Sequence, residues 1–167
     1  MNLQKFAHYL LLLLLVGCQS GADPDQQTQE ASPVDLKKAI PGVWESVSIR
    51  VDVNSFNNTD SSYVFEVPEE RWLNTLGVKP IRTYYENDNK YRSEYRDRAD
   101  SLVNETRGIW NVFGDTLMLI APDATYQYEV KIEKGLGKFR SLLDWDGDGQ
   151  EDDEYVGIQR YISRSTQ

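Results

Sequence analysis

Beyond residue 42 the chain alternates apolar and polar positions with period two, in short runs separated by turn residues. The clearest run is 124–133, where Tyr126, Tyr128, Val130 and Ile132 fall on one face and Gln127, Glu129, Lys131 and Glu133 on the other. Such alternation predicts a half-buried strand with one face to the core and one to water. Further strands are predicted over 43–53, 62–67, 81–86, 90–97, 106–113, 116–121, 138–145 and 155–163. Their connections are short and carry turn chemistry: Asn87-Asp88-Asn89, Gly114-Asp115, Pro122-Asp123 and Lys134-Gly135-Leu136-Gly137. Strands joined this tightly are antiparallel neighbours, since a parallel pair needs a long crossover. Helical pattern is confined to a short N-terminal helical turn within 33–41, bounded by Pro41, and to 68–76, where Trp72 and Leu76 lie four apart as a lid or plug. The expected fold is all-β: an antiparallel up-and-down β-barrel of eight or nine strands, which leaves no exposed sheet edge. A two-sheet sandwich is the alternative. There is no internal repeat.

The unbroken leucine run, residues 10–15, lies outside this pattern. It follows a segment whose one charge is Lys5 and precedes Val16-Gly17-Cys18, the layout of a secretory signal and too short for a spanning helix. Leu15-Val16-Gly17-Cys18 resembles the bacterial lipobox. That resemblance implies cleavage before Cys18, a diacylglyceryl group on its thiol, and attachment to a membrane surface by acyl chains. Residues 19–32 have, Pro24 aside, no apolar side chain larger than Ala and cannot offset their ordering entropy by burial. The organisation expected is therefore a signal peptide over 1–17, an acylated Cys and flexible tether over 18–32, and a barrel domain over 33–167. The lipobox resemblance places the protein in a bacterial cell envelope. With Gln19 after the Cys rather than Asp, it implies the outer membrane.

Charge narrows the partners. The chain carries 18 basic and 27 acidic residues, and removal of 1–17 takes only Lys5, leaving the mature chain near −10. No basic footprint is available for nucleic acid or for anionic lipid headgroups, so the lipid on Cys18 is the membrane contact, and a protein partner is not identified. Cys18 is the one Cys and His8 the one His, which excludes His- and Cys-based nucleophilic catalysis, imidazole and thiolate metal sites, and structural disulfides from the mature domain. The carboxylate pairs Glu69-Glu70 and Asp97/Asp100 have no spacing that marks an acid–base pair, and the domain is expected not to be an enzyme.

Gly42-Val43-Trp44, opening the first strand after the helical turn, resembles the Gly-x-Trp start of the lipocalins. The run Gly108-Ile109-Trp110-Asn111-Val112-Phe113-Gly114-Asp115 is similar to the middle of bacterial lipocalin-like lipoproteins. The resemblance implies that Arg160, on the last strand, packs over Trp44 to close one end of the barrel by cation–π stacking. It implies also that a small, mainly apolar molecule binds inside, where an eight-stranded barrel has room for one ligand or for its own side chains. Tyr84, Tyr85, Tyr91, Tyr95, Trp110, Tyr126 and Tyr128 offer aromatic surface with polar tips suited to an amphipathic ligand. All of these except Tyr85 are taken as ligand-binding candidates. A core filled by the same side chains is the alternative, making the protein a structural or interaction lipoprotein.

The sharpest chemical constellation is the acidic loop 144–154. Asp144, Asp146 and Asp148 occupy positions one, three and five of a calcium-type loop, Gly149 position six, the Gln150 carbonyl position seven and Asp152 position nine. Position twelve is Tyr155 rather than Glu, with Glu154 adjacent, and no paired helices flank the loop. Calcium, bound weakly and in a structural role, is the expected cofactor. A solvated hairpin tip chosen for turn propensity is the other reading.

Overall fold

The computed structural model describes residues 34–164. A single helical turn, α1 (Leu36–Ala39), leads into β1 (Gly42–Val53), and β2 (Tyr63–Val67) returns along half of it. A 3-10 turn, Glu69–Arg71, runs into α2 (Trp72–Leu76), the segment with helical pattern, which ends at Gly77. The remaining strands are β3 (Arg82–Tyr85), β4 (Lys90–Arg96), β5 (Leu102–Phe113), β6 (Thr116–Ile120), β7 (Thr125–Glu133), β8 (Leu136–Leu143) and β9 (Asp153–Ser163).

Every neighbouring pair is antiparallel, from β3 to β9 in chain order. β1 closes the cylinder by pairing with β3 on one side and β9 on the other. The result is a closed eight-stranded up-and-down barrel plus β2 as an extra strand, and the sandwich alternative is set aside. β5 begins at Leu102, four residues before the predicted start, because 102–105 continue the ladder against β4.

Inward and outward positions follow the period-two pattern, interrupted where the ladders shift register at Val43/Trp44, Ser46/Ser48 and Tyr95/Arg96. Along β1 the buried or cavity-facing residues are Trp44 and Ser46, then Ile49, Val51 and Val53, a change of parity at the bulge between Ser46 and Ser48. The extra residue, Val47, gives its carbonyl to the Trp72 indole N–H at 3.1 Å, which ties α2 to the wall. One end of the barrel is packed solid by Leu36 from α1, by Ile40 just after it, and by Trp44, Tyr85, Trp110, Leu117, Val130 and Phe139. That plug leaves the upper interior to be filled or left open.

Candidate functional site

The closed end explains the Gly-x-Trp start without Arg160. Trp44 is 1% exposed, donates its indole N–H to the Ile40 carbonyl at 2.8 Å, and meets the rings of Tyr161 and Phe139 edge to face, with centroids 5.2 and 6.2 Å away. Gly42 has φ +139°, and a Cβ there would stand 2.5 Å from the Tyr161 ring and 2.7 Å from the Ser163 carbonyl. The expected cation–π closure by Arg160 is corrected. In register Trp44 faces Tyr161 while Arg160 faces Glu45, so strand alternation turns the guanidinium outward. There it pairs with Glu69 at 2.5 Å and lies 3.6 Å from Glu45.

Above the plug lies an interior cavity of about 270 Å³. Four of the candidate aromatics, Tyr91, Tyr95, Tyr126 and Tyr128, line it. Two do not. Tyr84 sits on the outer face, where the Arg92 guanidinium lies 3.6 Å from its ring centroid; alternation makes its neighbour Tyr85 the inward residue. Trp110 belongs to the plug: it is 3% exposed, donates to the Glu86 carbonyl at 3.0 Å, and packs edge to face on Tyr85. The lining further includes Tyr155 and Gln159 from β9, Ser46, Thr83, Ser93 and, from the β6–β7 turn, Asp123. Strict alternation from Tyr161 back along β9 puts Gln159, Gly157 and Tyr155 inward, a signal that was present in the sequence of that strand.

The cavity lining is mixed: Ile49, Ile81, Leu119, Ala121 and Phe139 stand beside the hydroxyl, amide and carboxylate groups, a surface suited to an amphipathic molecule. Thr83 and Ser93 share a hydrogen bond of 2.9 Å. The Gln159 side-chain oxygen is shielded from solvent and has no hydrogen-bond partner. Burial pushes the Tyr155 phenol up to about 12 and drives Tyr85 and Tyr128 upward as well, with smaller contributions from neighbouring tyrosines. Tyr91 is raised by burial too, and then by Tyr126, Tyr95 and Asp123 around it. All are therefore neutral phenols near neutral pH, able to donate or accept. Among the described residues that line the cavity, Asp123 is the one with a charge.

The acidic loop forms a second constellation. Asp144, Asp146 and Asp148 each offer a carboxylate oxygen within 4.8 Å of the others. Oxygens sharing one calcium stand at most about 5 Å apart, twice the coordination distance, so the three are compatible with a common ion. Backbone amides already serve them: Gly149 donates to Asp144 at 3.0 Å and Gln150 to Asp148 at 2.9 Å. From across the barrel rim, Asn57 and Asn58 donate to Asp146 and Asp148 at 2.7 and 2.9 Å. Gly149 holds φ +91° at the sharp turn. Asp152 stands apart from the trio and accepts from the Ser55 hydroxyl at 2.8 Å, while Gln150 turns its side-chain amide to Asn58. Asp153, 1% exposed, knots the loop to the barrel by accepting from the Trp145 and Asn54 amides at 2.9 and 3.2 Å. Cys18 lies outside the described residues.

No protein-family model matches the chain, and comparison with curated proteins finds no match.

Proposed function

We propose that the protein is a lipid-anchored lipoprotein of a bacterial cell envelope, attached through Cys18, whose barrel holds one small amphipathic molecule without transforming it. The observation that carries this reading is the cavity of mixed polar and apolar lining above a solid plug, where the Gln159 oxygen is buried without a partner and several phenols join the lining. A self-filled barrel would bring such groups together in pairs, because an unmet buried acceptor costs about 1–3 kcal/mol. Native mass spectrometry of the full chain, released from its own membranes in detergent, is expected to show a discrete excess of hundreds of daltons that is lost on denaturation. A bare, acylated polypeptide would overturn the carrier reading. The anchor is tested separately: a Cys18→Ala variant is expected to leave the membrane fraction, and its retention there would refute acylation as the attachment.

The acidic trio supports calcium as a structural ion of the 144–154 loop, in the weak range of extracellular modules, ~10⁻⁴ to 10⁻³ M. Millimolar calcium is expected to raise the melting temperature of the wild type and to leave Asp146→Asn unmoved. Equal curves with calcium and with chelator would favour the solvated-tip reading.

A further inference from the structure

Resting on the carrier reading, we propose that the molecule held in the barrel is a small organic ammonium, an amine on a compact apolar body, rather than a fatty acid or other anion. Asp123 is the one charged residue among those lining the cavity. An anion entering there would meet a carboxylate and no basic side chain, and an unpaired buried charge is costly. A cation meets the opposite situation. Its charge pairs with Asp123, and Tyr91, Tyr95 and Tyr126 in the lining provide aromatic rings, to which ammonium groups are attracted. The mature chain, near −10, also draws cations rather than anions toward the mouth.

The hydrogen-bond inventory points the same way. The Gln159 oxygen, buried and without a partner, is an acceptor in need of a donor, and the Asp123 carboxylate, exposed in its turn at the edge of the lining, is a second acceptor. A primary ammonium brings up to three donors and no acceptor, whereas a carboxylate brings acceptors alone. Size sets the upper bound. A cavity of about 270 Å³ holds the liquid volume of about nine waters and lies at the foot of the range for drug-sized ligands, so a one-ring or short-chain amine fits and a long acyl chain does not.

Titration calorimetry of the full chain at neutral pH with three near-isosteric probes tests this: phenethylamine, phenethyl alcohol and phenylacetate. The amine is expected to bind at least tenfold more tightly than the alcohol, with phenylacetate weakest. In Asp123→Asn the amine should fall to the level of the alcohol. Asp123 is exposed in a turn, so this variant keeps the fold, which far-UV circular dichroism checks. Gln159→Leu should weaken the amine severalfold while Asp123 still sets the order of the three probes. If phenylacetate or the alcohol binds as tightly as the amine, or if Asp123→Asn leaves the order unchanged, the ammonium assignment fails and the carrier reading stands. If none of the three binds, the assignment fails, and the mass excess in the native spectrum decides the carrier reading independently.

Discussion

At the scale of single residues, the closed end of the barrel separates a structural aromatic from a surface charge that sequence resemblance joins. Trp44 is buried, hydrogen-bonded and ringed by Tyr161 and Phe139. Trp44→Ala is expected to cost ~3–5 kcal/mol in urea unfolding, the range for a large aromatic removed from a packed core. Arg160→Ala should leave the urea midpoint nearly unchanged, since its ion pairs with Glu69 and Glu45 lie on the solvated outer face. Comparable losses for the two variants would restore Arg160 as the closing group. Gly42→Ala forces a Cβ against Tyr161 at a left-handed backbone position, a strain of about 1–3 kcal/mol that should appear as a lowered urea midpoint. The Gly of Gly-x-Trp thus has a steric cause that the tripeptide alone does not display.

At the scale of elements, strand parity decides which side chain does what, and the bulge in β1 decides parity. Period two was legible in 124–133 and put Tyr126 and Tyr128 on one face; both line the cavity. Tyr84 and Tyr85 are adjacent aromatics, so composition marks both while alternation admits only one. The ladder of β3 against β4, Tyr85 opposite Tyr91 and Thr83 opposite Ser93, assigns the inside to Tyr85. The acidic loop was legible as a pattern because Asp and Gly spacing is local. That Asn57 and Asn58 reach its carboxylates was not legible, since those contacts span about ninety positions of chain. Asp153 is the loop's buried anchor. Asp153→Ala strips two backbone amides of their acceptor and is expected to destabilise by about 2 kcal/mol at the midpoint of denaturant unfolding, whereas Asp152→Ala, which loses one hydroxyl bond, should cost less than half of that.

At the scale of the whole molecule, the interior shelters phenols whose ionisation folding suppresses, and this makes alkaline pH a probe of the fold. An unfolded tyrosine ionises near pH 10, whereas burial keeps Tyr155 protonated to about 12 and raises Tyr85 and Tyr128 as well. Below about pH 10 both states bind the same phenolic protons and these groups leave stability unchanged. Above it the unfolded chain sheds protons that the folded one retains, so stability falls as pH rises through the window from 10 to 12 and beyond, at about 1.4 kcal/mol per unit for each sheltered tyrosine. Urea midpoints should drop steeply between about pH 10 and 12, and part of the phenolate absorbance should appear only with unfolding. A smooth titration of all tyrosines near pH 10 in the folded protein would contradict a sheltered interior. The sequence by itself determined the strand count, the antiparallel order, the short helical segments and the acidity, because alternation, turn residues and charge are local properties read along the chain. Only the tertiary structure decided that eight strands close while β2 stays outside, that Arg160 faces water, and that the cavity mixes polar and apolar lining with Asp123 among it. Those outcomes depend on register and on a one-residue bulge, and a shift of one position exchanges the inner and outer faces of a strand.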